Sequence, residues 1–405
     1  MGEAMMFRYP SEGGSSGNTL ITQIFKENSN FTVPKGVKQV DVRIFGGGGG
    51  GISKRTISGA GGGGGWMNNA IINVTPGEVI PITIGAGGLG KFNTASSIAN
   101  AGSGGTTSFG TYLSAAGGKG GSIYYGTSNV TISNINMGFF SNISIGGDGG
   151  SGGGAVAAVK IEFSNSGNMG YIYTGLYTSG VAFGGHGHQF GGGGACAYST
   201  WYTMAGNGGI WGGGGGGTSI DLNRTGNVKG GIGGTYGGNG GCNSSGSYSS
   251  PENGTNTMSY TNISNDVKGN GLYGFYQNSS FNINNLVTTH NFGGGGYGGN
   301  GGKAFSNTYA FSTGGGGYGA HGGNIVICGV GGGGGYGKNG YGGTGTAYTI
   351  GGGGAYGPGG SEHSKPMDGG GGAGITVKSD NRGIYNSLKD RENGASGICI
   401  IQYYL

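Results

Sequence analysis

Apolar and polar positions alternate cleanly near both ends of the chain. In the stretch 30–46 (NFTVPKGVKQVDVRIFG), Val40, Val42 and Ile44 alternate with Asp41 and Arg43, the period of a half-buried strand. Pro34, Lys35 and Gly36 predict a turn just before it. In 66–85 (WMNNAIINVTPGEVIPITIG), Pro76-Gly77 fits the two central positions of a type II turn, with the glycine supplying positive φ. Strands at 70–75 and 79–84 are expected to flank that turn as a hairpin. The last residues, 397–405 (GICIIQYYL), read as an apolar strand, and Leu20–Phe25 reads as a short strand or an attachment segment. A small β-unit built from both ends follows. Helical periodicity is nearly missing, 383–392 being its one modest candidate, while 158–163 and 171–177 are strand-like.

Between these ends the pattern becomes one of glycine. Unbroken runs occupy 46–51, 61–65, 212–217 and 331–335. Other stretches read Gly-Gly-X with a period of three: 116–122, 148–154, 236–242 and 297–303. Three residues per turn with ~3.1 Å rise is the geometry of the polyproline-II helix. There, every X falls on one edge and the other two edges are bare backbone.

Ordering 114 glycines is expensive, because each loses about 0.5–1 kcal/mol more backbone freedom than alanine would. Glycine has no side chain to bury in return. A lone helix of this type makes no internal hydrogen bonds, yet buried N–H and C=O groups need partners. Parallel bundles of such helices, bonded laterally, meet both demands. The expectation is a polyglycine-II sandwich: all-Gly tracts inside, Gly-Gly-X tracts in the outer layer, with Lys119, Asp148, Asn239 and Asn300 pointing outward. Six residues span ~19 Å, so the slab is thin, with loops at both ends. Glycine at this level without matching proline is also a mark of low complexity. Only 9% charged residues, 11% aromatics and the strand patterns at the ends weigh against disorder.

The fold class expected is therefore mainly β and irregular, with almost no α-helix: a β-unit from both ends plus the glycine sandwich with long inserted loops. Residues 1–28 form an N-terminal lead or attachment segment. Residues 29–121 and 394–405 form the β-unit with the first tracts, and 122–393 the glycine region with inserts rich in Asn, Ser and Tyr.

The net charge of +5 is spread without a basic run, so no nucleic-acid partner is expected. The first residues lack the features of a secretory signal, and no stretch is apolar enough for membrane insertion. Cys196, Cys242, Cys328 and Cys399 show no CxxC pattern; free buried thiols, disulfides and metal ligation stay open. No Walker motif is present, since Lys119, Lys303 and Lys338 are followed by Gly, Ala and Asn. The acidic residues Asp148, Glu162 and Asp221 are isolated, so no carboxylate pair points to glycoside hydrolysis. The G-x-S-x-G matches at 13–17 and 149–153 lack a strand-to-helix elbow. No enzyme and no cofactor is expected.

Binding chemistry concentrates in the inserts. Their aromatics are Tyr124, Tyr125, Phe139, Phe140, Tyr171, Tyr173, Tyr177, Trp201, Tyr202, Tyr273, Phe275 and Tyr276. Tyr among Ser, Gly and Asn is also the composition of antibody paratopes, combining large contact area with adaptable hydrogen bonding. The other reading is that these rings pack over the slab or at a subunit interface.

The stretch FTVPKGVKQVDVRIFGGGGGG, the later VTPGEVIPITIGAGG and GGTTSFGTYLSAAGGKGG, and the ending GASGICIIQYYL together resemble the glycine-rich domain of bacteriophage tail proteins. The alternation across 122–393 resembles the receptor-binding adhesins at the tail-fibre tips of T-even-type phages. That resemblance implies a layered polyglycine-II sandwich whose variable segments recognise the host. The partners implied are a bacterial surface glycan or outer protein and other tail subunits, with homo-oligomerisation left open. The location implied is the virion tail, assembled in the host cytoplasm. The pair His186 and His188 in GGHGHQFGG is similar to the His-x-His of some phage spikes, which holds iron; surface or turn histidines are the other reading. The alternative function is a self-assembling structural fibre or surface protein, extracellular or at the cell surface, whose slabs or strand edges stack between subunits.

Overall fold

The computed structural model describes residues 19–54, 59–93, 99–125, 364–375 and 391–405 continuously, and parts of 131–249 and 314–361. Among the described residues strands predominate and no α-helix occurs. Of the helix candidate at 383–392, residues 383–390 lie outside them.

The expected β-unit is a two-sheet sandwich. One sheet has the order β1 (Leu20–Phe25), β28 (Ile398–Tyr404), β3 (Gln39–Phe45) and β6 (Met67–Asn73), all neighbours antiparallel. The other has the order β11 (Leu113–Ala115), β10 (Thr107–Phe109), β7 (Val79–Thr83) and β2 (Ser29–Thr32). Leu20–Phe25 is thus a strand of the unit. The alternating residues Val40, Val42 and Ile44 do point inward, where they join Phe31, Ile80, Ile82, Phe109, Ile401 and Tyr403 in the apolar core. Phe31 sits between Phe109 and Tyr403, with ring centroids at 6.0 and 5.8 Å.

Gly77 has φ +85° and the Glu78 N–H closes the turn on the Thr75 carbonyl at 2.9 Å. The turn is as expected, but the hairpin is not. β6 pairs with β3, whereas β7 pairs with β2 and β10. The Pro76-Gly77 turn carries the chain from one sheet to the other, β6 being paired by β3 and β7 by β2 and β10.

The glycine tracts show a three-residue recurrence in their bonds. The N–H groups of Gly46, Gly47 and Gly48 donate to the carbonyls of Trp66, Gly105 and Ala395. Those of Gly49, Gly50 and Gly51 donate to Gly63, Gly102 and Glu392. The same three neighbours are met again three residues on, as threefold polyglycine-II helices require. The tract accepts in turn from Gly118 and Gly121, from Gly88 and Lys91, and from Gly372. Its core is therefore backbone, bonded on all sides, and residues 46–51 and 61–65 are all buried.

The bundle is not parallel as expected. Tract 46–51 runs antiparallel to the three neighbours it donates to and parallel to the three it accepts from. Short connections between successive tracts force this mixture. Nor do the tracts rely on glycine's access to positive φ: among the described residues those glycines are Gly36, Gly77, Gly110 and Gly369. The reason is steric. A Cβ on Gly49 would collide with the carbonyl of Lys119, and one on Gly63 with that of Asp148.

At the far end of the slab from the sandwich, the tracts run into two further sheets. One has the order β23 (Val228–Lys229), β21 (Tyr202–Met204), β19 (Gly180–Phe183), β15 (Asn142–Ile145), β12 (Ser122–Tyr125) and β9 (Ala99–Asn100). The other has the order β25 (Ser247–Ser249), β24 (Cys242–Ser244), β22 (Gly217–Thr218), β20 (Cys196–Ala197), β16 (Ala155–Val156), β5 (Gly59–Ala60), β4 (Ile52–Lys54) and β8 (Lys91–Asn93). Among the described residues three two-stranded pairs complete the strands: β13 (Thr131–Ile132) with β14 (Ile135–Asn136), β17 (Ile161–Phe163) with β18 (Tyr171–Tyr173), and β26 (Thr349–Ile350) with β27 (Gly374–Ile375).

Candidate functional site

The path of the chain through the slab decides where the inserts emerge. Tract 46–51 leads from β3 in the sandwich to β4, and tract 61–65 returns from β5 to β6. The tracts at 85–90, 101–105 and 116–121 cross in the same way. Through the tracts that follow β12 the described chain stays clear of the sandwich, and it rejoins it at β28. Tract 146–150 descends from β15, bends, and tract 151–154 ascends to β16. The same hairpin repeats from β19 through 184–188 and 191–194 to β20, and from β21 through 205–209 and 212–215 to β22. Accordingly β15, β19, β21 and β23 pair in parallel, as do β16, β20, β22 and β24. The connections following β12, β16, β20 and β22 therefore all leave from one end of the slab, opposite the sandwich.

Among the aromatic candidates, Tyr124 and Tyr125 lie on β12 and Tyr202 on β21, strands of that far end. Tyr124 is half-buried, opposite Ile143. Tyr171 and Tyr173 lie on β18. Phe139, Phe140, Tyr177, Trp201, Tyr273, Phe275 and Tyr276 lie outside the described residues. So do Asn239 and Asn300.

On the outer face of the slab, the X positions of successive tracts fall into one row. Lys119 is exposed and its ammonium lies 3.1 Å from Asp148 Oδ2. Asp148 Oδ1 accepts the backbone N–H of His186 at 2.9 Å. His186 Nδ1 accepts the N–H of Asn207 at 2.9 Å, and Asn207 Oδ1 that of Ile232 at 2.8 Å. Asp148, His186 and Asn207 each cap a donor of the next tract that would otherwise face solvent. The expected outward orientation thus holds for Lys119 and Asp148. It does not extend to Ser151, which is fully buried and donates its hydroxyl to the Gly354 carbonyl. The chain bends at Gly150–Ser151, so 148–154 is two antiparallel tracts rather than one.

His186 and His188 do not act together. His186 is held by Asp148 and Asn207, whereas the His188 ring stacks on Trp66 with centroids 4.0 Å apart and planes at 17°. His188 keeps an exposed edge, and partial desolvation of its ring lowers its pKa. Among the described residues no group of three or more His, Cys, Asp or Glu side chains could hold a metal. Beside this stack, where slab meets sandwich, Phe45 packs with Tyr336 at 5.8 Å and Tyr356 at 5.2 Å. Tyr336 in turn stacks on Tyr318 at 5.2 Å. These aromatics seal the junction, together with the buried Met67, Ala355, Ile398 and Ile400. No local pattern assigned a role to Trp66, Asn207, Tyr318, Tyr336 or Tyr356; only the period-three height of His186 and Asn207 could have hinted at one. Cys399 is a free thiol buried in the sandwich, and burial pushes its pKa up to about 12.

A comparison with curated proteins found no match. The family model of the glycine-rich domain matches residues 23–236, from within β1 to just past the tract at 231–234 and more than half of the 405 residues. The chain belongs to this glycine-rich domain family.

Proposed function

We propose that the protein is a non-enzymatic adhesin of a bacteriophage tail tip or tail fibre. In this reading the glycine slab is a rigid scaffold, and the inserts bind a glycan or outer protein of the bacterial surface. The observation that carries the reading is the common exit: the connections after β12, β16, β20 and β22 leave from the end opposite the sandwich. A recognition surface built from several loops on a fixed frame needs this arrangement. The insert composition, rich in Tyr, Ser, Asn and Gly, fits adaptable recognition. The sandwich, formed from both chain ends, is then the natural point of attachment to the rest of the virion.

The test exchanges residues 126–141, 157–179, 198–201, 219–227 and 250–292, singly and together, for polar Gly/Ser linkers. Binding to bacterial-surface glycan arrays and outer-membrane vesicles is then measured, with thermal unfolding as the check on the scaffold. Loss or change of binding with an intact transition is expected. Binding that survives all the exchanges would dismiss the proposal.

A further inference from the structure

Among the described residues the sandwich is joined on one side and open on the other. On the sealed side, Asn68 of edge strand β6 donates its amide to the Ser114 carbonyl of edge strand β11 at 3.0 Å, joining the two sheets. On the open side, β1 is the edge of its sheet among the described strands. Edges left bare are templates for another strand, and proteins usually blunt them with charge, proline, bulges or short length. β1 has none of these: its six residues, LITQIF, pair in unbroken register with β28.

The hydrogen-bond alternation identifies which groups face outward. Thr19 and Leu405 exchange both backbone bonds, at 3.0 and 3.1 Å. Bonded and non-bonded pairs alternate along an antiparallel ladder. Ile21, Gln23 and Phe25 therefore turn their N–H and C=O groups toward β28, and Leu20, Thr22 and Ile24 turn theirs away. Their side chains share the outer face of the sheet, where Leu20 is 50% and Ile24 53% exposed. Tyr404 and Leu405, beside Leu20, are also exposed.

We propose that β1 pairs antiparallel with β1 of a second copy of this chain, about a twofold axis through Thr22, making one continuous eight-stranded sheet. The strand is self-complementary in this register. Leu20 faces the partner copy's Ile24, Thr22 faces Thr22, and all three outward residues exchange both backbone bonds. Two apolar pairs flank the axis on the outer face. No residue from 20 to 25 is charged, so no like charges are opposed. A register centred on Gln23 leaves the outward groups of Leu20 beyond the partner's strand and forms fewer bonds. The interface lies in the sandwich, away from the insert exits, so it stands or falls independently of the receptor reading.

Sedimentation of the full chain over a wide concentration range tests it, alongside Thr22→Pro and Ile24→Lys. Proline is tolerated on an edge where the N–H faces solvent, so Thr22→Pro spares the β1–β28 ladder while removing the central donor from both copies. Ile24→Lys opposes a charge to the partner's Leu20. The wild type is expected to form a dimer, and each variant to raise its dissociation constant at least about ten-fold with an unchanged unfolding transition. A wild type that stays monomeric, or dimers that persist unweakened in both variants, would overturn the proposal.

Discussion

The carboxylate of Asp148 accepts the backbone N–H of His186 at 2.9 Å, binding one glycine tract to the next through a side chain. Its second oxygen takes the Lys119 ammonium. The row continues through His186 and Asn207 to Ile232. Asp148→Ala strips a donor of its partner at a partly exposed site, a loss of about 1 kcal/mol. Asp148→Asn keeps an acceptor and should lose less. Chemical denaturation of the two variants gives the order; equal losses would mean that the carboxylate does not cap the neighbouring tract.

Inside the slab the tolerance vanishes. A Cβ at Gly63 meets the Asp148 carbonyl, a backbone group that cannot move without its own tract. Gly63→Ala is expected to destabilise by more than about 4 kcal/mol or to prevent folding. Lys119→Ala, on another tract bonded to Gly63 but with its side chain exposed, should stay within about 1 kcal/mol. Soluble yield and denaturation midpoints distinguish the two.

The stack of His188 on Trp66 carries a pH dependence. Burial lowers the His188 pKa below its ordinary value of 6.5. The unfolded chain then binds this proton more readily than the folded one, so stability rises with pH across the interval below 6.5 and is lost as pH falls through it. His188→Phe keeps a stacking ring without the titration and should flatten that part of the profile. Thermal unfolding followed from pH 7 downward, with Trp66 fluorescence as a local probe, measures the difference; superimposable profiles would contradict it.

Cys399 is fully buried between β1 and β3, and its thiol is pushed up to about 12. Reaction requires the thiolate and access. In native protein at pH 8, peptide mapping after maleimide treatment should find Cys399 unlabelled, and denaturant should make it reactive. Labelling under native conditions would place the C-terminal strand elsewhere.

Residue patterns made the sandwich strands and the tract geometry legible, since Val40, Val42 and Ile44 alternate locally and Gly-Gly-X has a local period. What stayed hidden depends on partners distant in sequence. The Pro76-Gly77 turn is local, but whether β6 and β7 pair is decided by β2, β3 and β10. Ser151 continues the period of Asp148 in the sequence, yet the chain bends between them and Ser151 meets Gly354, more than two hundred positions away. His186 beside His188 leaves a metal pair and a surface or turn histidine both open in the sequence; in three dimensions its partners are Asp148 and Asn207. The insert aromatics were legible as composition alone, because nothing local fixes where a loop ring points.

Lateral hydrogen bonding of the glycine tracts underlies both the scaffold and the common exit of the inserts, and amide hydrogen exchange measures it directly. The N–H groups of residues 46–51 and 61–65 each have a carbonyl partner in a neighbouring tract. They should exchange only through global unfolding, as slowly as those of β3 and β28 in the sandwich. Exchange of these glycines at the rate of an unstructured peptide, while the sandwich stays protected, would contradict the account.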